Sequence, residues 1–172
     1  KRLSPEAPVP ILESQRTETS KGMAWNVFNN LLAFGIETSM LTNAEQIVKT
    51  RYIDEKSNYQ ILRVDDEPEI KSLEEVVSND NYDALVISDY DKGFITQEKL
   101  FEICSTFVGP IFVDTKKNNI PENAYVKINE SEFEKVTHYD PNNLIITKGG
   151  EGAEYQGNLY PAEKVNVYDV VG

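Results

Sequence analysis

The sequence predicts an α/β domain, a mostly parallel sheet flanked by helices and carrying a small β appendage, and three observations predict it. Two short runs, Ala84-Leu85-Val86-Ile87 and Ile111-Phe112-Val113, are apolar without alternation. Strands of that kind are expected where both faces of a parallel sheet are covered. Between them, Gln97 to Phe107 places Leu100, Ile103, Cys104 and Phe107 at helical spacing, which gives the strand–helix–strand order of a parallel sheet. Upstream, Ile47 to Ile53 and Tyr59 to Val64 alternate instead, and the polar run Asp54-Glu55-Lys56-Ser57-Asn58 between them reads as a hairpin turn.

Taken in order, the chain opens on the proline-rich Ser4-Pro5-Glu6-Ala7-Pro8-Val9-Pro10. The missing amide donors of its prolines suit an edge strand over Val9 to Leu12. Gly22 to Phe34 sets Ala24, Val27, Leu31 and Phe34 one helical turn apart, with Gly35 as the stop. A strand is expected over Thr38 to Leu41, then the hairpin, then a short helix over Leu73 to Val77. After the strand ending at Ile87, the helix Gln97 to Phe107 and the strand Ile111 to Val113, further strands are expected at Tyr125 to Ile128, Leu144 to Thr147 and Val165 to Tyr168. A short helix falls around Glu130 to Val136. The reading is one domain, residues 1–172, with appendage elements at about 1–14 and 44–66 and no internal repeat.

A chain of 172 residues with 40% apolar content can bury one core. With 29 acids against 17 bases the formal charge is −12, and no cluster of Lys and Arg is longer than two, so binding to nucleic-acid phosphates is not expected. The single Cys104 excludes an internal disulfide and cysteine-rich zinc sites, and its place in a helical apolar stripe makes it a core residue. No apolar run approaches the ~18 residues of a membrane span, and the expected location is the cytoplasm. His138 reads as a surface loop residue, and Asp65-Asp66-Glu67 as a solvated turn.

In open α/β sheets, ligands lie beyond the carboxyl ends of the strands. The residues that follow the strands here are Ser88-Asp89-Tyr90-Asp91-Lys92-Gly93, Asp114-Thr115-Lys116-Lys117, Asn129-Glu130-Ser131-Glu132 and Thr147-Lys148-Gly149-Gly150-Glu151-Gly152. Each alone reads as a turn or helix cap, but four at one edge favour a site. Lys92, Lys116 and Lys117 suit phosphate oxygens, Asn129 with Glu132 suits a hydrated Mg²⁺, and the glycines suit close backbone approach to a ligand. At the far end, Val165 to Gly172 reads as a strand delivering Asp169 and Gly172 to a phosphate-binding turn.

The ordered set formed by Ser4 to Pro10, Asn26-Val27 with Asn30-Leu31 and Gly35, Lys49-Thr50-Arg51, Leu62-Arg63-Val64-Asp65, Ser88-Asp89-Tyr90 with Lys92-Gly93, Val113-Asp114 with Lys116, Asn129 with Glu132-Phe133-Glu134, and Tyr168-Asp169-Val170 with Gly172 resembles the ribokinase-like (PfkB) carbohydrate kinases. Within that family it is most similar to the heptose-7-phosphate kinases of ADP-heptose synthesis. The resemblance implies transfer of the γ-phosphate of ATP to the anomeric hydroxyl of a heptose 7-phosphate beneath a β lid. It implies that Asn129 and Glu132 serve Mg²⁺, that Asn129, Thr147, Gly149 and Gly152 serve the nucleotide, and that Asn26 contacts the sugar. Lys49, Arg51, Lys92 and Lys116 are implied for the phosphates, Asp169 for a monovalent cation such as K⁺, and Gly172 for the anion hole. Pairing of two copies through the lid is a further expectation.

Against the family pattern, the first strand and its Gly-Asp pair are expected before Lys1. The catalytic Asp is expected just beyond Gly172, so that the chain reads as truncated at both ends. The Gly-Gly-Ala-Gly approach to Asn26 is here Gly22-Met23-Ala24-Trp25, and segments are absent after Leu41-Thr42-Asn43 and between Val136 and Leu144. A sugar- or nucleotide-binding relative or fragment that does not catalyse is therefore the alternative expectation.

Overall fold

The structure is a computed structural model that describes residues 2–75 and 81–163. The expected strand Val165 to Tyr168, the end of the expected helix Leu73 to Val77, Asp169 and Gly172 all lie outside the described residues.

The centre is a six-stranded sheet. Strands β1 (Arg2–Leu3) and β2 (Pro10–Ile11), helix α1 (Ala24–Ala33) and the hairpin β3 (Val48–Asp54) and β4 (Tyr59–Asp66) precede it. The sheet itself is built from β5 (Leu85–Asp89), β6 (Ile111–Thr115), β7 (Tyr125–Asn129), β8 (Leu144–Thr147), β9 (Ala153–Tyr155) and β10 (Asn158–Tyr160), in spatial order β10-β9-β8-β7-β6-β5. β5 to β8 run parallel and β9 and β10 antiparallel. Helices α2 (Gln97–Thr106) and α3 (Glu130–Phe133) flank it. The fold is thus α/β with a mostly parallel sheet, and the antiparallel hairpin forms a separate small sheet.

α2 forms where the apolar stripe predicts it. Thr96 caps its start by accepting a hydrogen bond from the Lys99 amide at 3.2 Å. Its stripe Leu100, Ile103 and Cys104, continued by Phe107, is buried against Ile87, Val113, Val126 and Ile128 of the sheet. The chain then turns back through Gly109, whose φ of +139° and approach to the Asp83 carbonyl leave no room for a Cβ. Burial pushes the Cys104 thiol up to about 11, which fits the core role read from sequence.

Cover of the sheet differs from expectation. Ile111, Val113, Val126 and Ile128 are buried on the α2 face, whereas Val86, Phe112 and Tyr125, paired across three strands on the other face, remain about two-fifths exposed. Phe112 and Tyr125 stack at 5.3 Å, so the row keeps mutual contact without a covering layer among the described residues. The apolar runs were therefore a sound signal for strands but not for their depth.

Three other expectations change. Thr38 to Leu41 forms no strand. Leu73 and Glu74 are not helical; Leu73 is buried, with its amide donating to the Phe94 carbonyl at 2.7 Å. The helix expected to reach Val136 ends at Phe133. α1 forms as predicted but buries no residue. The N-terminal strand pairs within its own segment, β1 with β2, and shares no sheet with the hairpin.

Candidate functional site

The carboxyl ends of the parallel strands align. In register, Asp89 faces Thr115 and Asn129 faces Thr147, so the last residues of β5, β6, β7 and β8 share one edge. The four polar segments picked out in the sequence all leave from this edge.

The β5–β6 end is tied by a buried network. Thr115 Oγ1 donates to Asp89 Oδ2 at 2.8 Å, and the Asp91 amide donates to Asp89 Oδ1 at 2.9 Å. Lys117 Nζ lies 3.3 Å from Asp89 Oδ2 and hydrogen-bonds the Asp91 carboxylate. Both side chains of the Lys117–Asp89 pair are more than nine-tenths buried. Burial acts to lower the Lys117 pKa, but the hydrogen bonds and charges of Asp91 and Asp89 together outweigh it and hold the ammonium above its ordinary range. Lys117, read as a phosphate ligand, is thus committed to two carboxylates. The network also fixes Asp91, which holds a φ of 55°, and so the loop bearing Lys92.

Lys92 extends from that loop to Glu67, with Nζ 2.5 Å from Oε2, and Lys49 of β3 meets the other oxygen of the same carboxylate at 3.4 Å. The hydrogen bond from Lys92, assisted by Lys49, prevails over desolvation and keeps the Glu67 pKa below the ordinary value. Two of the four expected phosphate residues, Lys49 and Lys92, therefore meet on one acid, which lies 25 residues before Lys92 and reads, in sequence, as part of a solvated turn. Arg51 stands two residues along β3, opposite Arg63. Lys116 Nζ lies 5.8 Å from the Tyr90 ring centroid, a cation–π contact. A depression of about 340 Å³ opens beside it, lined by Asp91, Gln97 and residues 116–119.

At β7, Asn129 and Glu132 form a capping box. Asn129 Oδ1 accepts from the Glu132 amide at 2.9 Å, and Glu132 Oε2 accepts from the Asn129 amide at 2.9 Å. The other oxygen of Glu132 has no partner among the described residues. A hydrated Mg²⁺ asks for only one or two carboxylates, so the donor set fits such an ion while also serving the helix.

After β8, Thr147 Oγ1 donates to the Ile128 carbonyl at 3.3 Å. Gly149 and Gly150 are open to solvent, but a Cβ on Gly152 would fall 2.0 Å from the Tyr160 carbonyl oxygen. The need for glycine at 152 is met by the β9–β10 hairpin. That hairpin turns through Gln156-Gly157, both at positive φ, and was not expected from sequence. Lys148 pairs with Glu154 at 2.6 Å, which holds its ammonium above the ordinary range. Where the sequence lacks a helix between Val136 and Leu144, Asp140 closes a tight turn onto Asn142 and Asn143, and a cleft of about 580 Å³ is left between Phe133, Tyr139, Leu144 and Ile146.

Asn26 lies on α1, a helix with no buried residue, and makes no side-chain hydrogen bond to the residues of this edge among the described residues. Its neighbour Trp25 is covered by Lys21, 3.7 Å from the ring centroid, and meets Phe28 edge-on. Sequence reasoning missed Asp89, Lys117 and Glu67 in their pairing roles. The alternation of Thr115 with Lys117 beyond a buried strand could have suggested the first two, but nothing local points to Glu67.

No protein-family profile matches the sequence, and no solved structure matches it. Among curated proteins it is similar to the bifunctional protein HldE of a Nitratiruptor species, 31% identical over 229 aligned positions that take in 99% of this chain and 50% of the relative. HldE of Sulfurimonas denitrificans is 34% identical over 141 positions, 61% of this chain and 30% of that one. HldE of Pasteurella multocida is 29% identical over 188 positions, 86% of this chain and 39% of that one. The chain spans about half the length of the first of these relatives and less of the others. Because 229 aligned positions exceed the chain's 172 residues, more than fifty positions inside the matched span of the Nitratiruptor protein have no counterpart here.

Proposed function

We propose that this chain is a ribokinase-like (PfkB) sugar-phosphate kinase domain that directs the γ-phosphate of ATP to the anomeric hydroxyl of a heptose 7-phosphate, in the cytoplasm where ATP is supplied. The observation that carries the reading is similarity to a bifunctional HldE protein across 99% of the chain. The polar edge formed by β5 to β8 agrees with it.

In this reading Lys49, Lys92 and Lys116 neutralise phosphate oxygens, with Arg51 beside them on the hairpin. Glu132 holds a hydrated Mg²⁺ through its free oxygen while its other oxygen stays on the Asn129 amide. Bound Mg²⁺ and ATP would supply charge neutralisation and the transferable phosphoryl group. Thr147 and the open Gly149-Gly150 stretch border the nucleotide, and Asn26 serves the sugar once α1 closes on the edge. Asp169 with a monovalent cation and Gly172 in an anion hole complete the assignment.

Transfer is measured by ³¹P NMR with heptose 7-phosphate, ATP and Mg²⁺. Phosphorylation at the anomeric position is the expected result; its absence, with ATP still bound, would leave a binding role. Glu132→Gln should weaken Mg²⁺-dependent ATP binding about tenfold without unfolding the domain, as loss of one charged ligand does. An unchanged Mg²⁺ dependence would remove Glu132 from the site.

A second reading, a sugar- or nucleotide-binding relative that does not catalyse, is favoured by the internal shortfall of more than fifty positions against the Nitratiruptor protein. The same titration separates the two, since a binder retains affinity without transfer.

A further inference from the structure

We infer that the Glu67 carboxylate is a built-in stand-in for a phosphate monoester, holding in the free chain the position between Lys49 and Lys92 that the substrate's phosphate takes on binding. The inference rests on the kinase reading for the identity of the substrate, but not for the exchange itself.

The geometry is that of a shared anion. Lys92 Nζ meets one oxygen of Glu67 and Lys49 Nζ the other, at 2.5 and 3.4 Å, so both oxygens are used and each ammonium has one. The two lysines come from different elements, the hairpin and the loop after β5, and converge on this carboxylate. All three side chains keep about a third of their surface open, so an incoming anion can reach them.

Charge decides the direction of exchange. In direct contact two ammonium groups meet one carboxylate, and Asp65, across the ladder from Lys49, is itself held by Arg63, so a phosphate dianion would match the two lysines better than the single charge of Glu67 does. An exposed ion pair is weak, whereas phosphate offers more acceptor oxygens and stronger charge-assisted bonds. The buried cation of this edge cannot compete, because Lys117 is already held by Asp89 and Asp91. That same network fixes the loop carrying Lys92, so it is the Glu67 side chain that has freedom to leave. The incoming phosphate would then bridge Lys49 of the hairpin to Lys92 of the β5 loop in place of Glu67, which links phosphate binding to how firmly the hairpin is held.

The test compares Glu67→Gln with Glu69→Gln, which makes the same change of net charge at an exposed acid two residues away. Inorganic phosphate, a sugar 7-phosphate and ATP are titrated by calorimetry at fixed ionic strength. Glu67→Gln should tighten inorganic phosphate and the sugar phosphate about two- to fivefold, the range expected for losing one competing exposed ion pair. Glu69→Gln should change them less than about 1.5-fold, and Lys92→Met should abolish the gain. Equal effects of the two glutamine variants, or weaker phosphate binding by Glu67→Gln, would overturn the inference. Tightening confined to ATP would overturn the assignment to a monoester. Because inorganic phosphate is the probe, the outcome is readable even if no sugar is phosphorylated.

Discussion

Lys117 shows how a single residue can be misread from its type and place. Following a parallel strand beside Lys116, it has the position of a phosphate ligand, yet its side chain is buried against Asp89 and Asp91. Removing one partner of a buried pair leaves the other charged and desolvated, so Lys117→Met should cost about 3 kcal/mol in urea unfolding. The pH dependence carries a sign. Folding raises the Lys117 pKa above its ordinary 10.5, so this contribution is fully present below 10.5 and is lost as pH rises through the higher folded value. Wild-type and Lys117→Met stabilities should therefore differ most at neutral pH and converge in strong alkali. A constant difference across that range would mean that the ion pair is not what stabilises the loop. Glu67 has the opposite sign: its lowered pKa adds stability above 4.5 that is lost as pH falls through the folded value.

At the level of elements, Gly152 separates two explanations that sequence leaves entangled, a nucleotide loop and a packing constraint. A methyl group there would meet the Tyr160 carbonyl at 2.0 Å with φ at +112°, whereas one on Gly150 meets nothing. Gly152→Ala should lower stability by about 2 kcal/mol. Gly150→Ala should stay within about 0.5 kcal/mol. Both are read from urea midpoints. The same contrast marks what was legible. α2, β5 to β8 and the β3–β4 hairpin could be read because apolar spacing is a local signal that tertiary packing reinforces. The β9–β10 hairpin went unseen because a glycine-rich run invited a ligand explanation, although Gln156-Gly157 is itself a two-residue turn flanked by Tyr155 and Asn158. Thr38 to Leu41 had the composition of a strand but finds no neighbour to pair with among the described residues, and strand formation depends on that neighbour. At the site, the shared strand-end edge was visible from order alone, whereas the link from Glu67 to Lys92 joins residues 25 apart and exists only after folding.

Across the whole molecule, stability should be graded rather than uniform. The buried cluster lies between α2 and β5 to β8, with Leu100, Val113, Val126 and Ile128 almost without exposure. By contrast α1 has no buried residue, β4 is exposed along its length, and β1 and β2 pair over two residues each. The hairpin is held to the sheet region by the exposed Lys92–Glu67 pair, and its own ladder carries a register shift between Tyr52 and Ile53. Local opening is governed by how much apolar surface and how many protected hydrogen bonds an element would lose. Native-state hydrogen exchange should then find the slowest amides in β6 and β7, the two strands flanked on both sides by parallel partners. Those of β3 and β4 should be faster, and those of α1 and β1–β2 faster still. Phosphate should slow the β3–β4 amides selectively if it clamps Lys49 to Lys92 more firmly than Glu67 does, and should leave β6 and β7 unchanged because they already open only with the whole fold. Equal protection in the hairpin and the central strands would show that the hairpin is packed as core, and would remove the mobility that a phosphate-responsive lid requires.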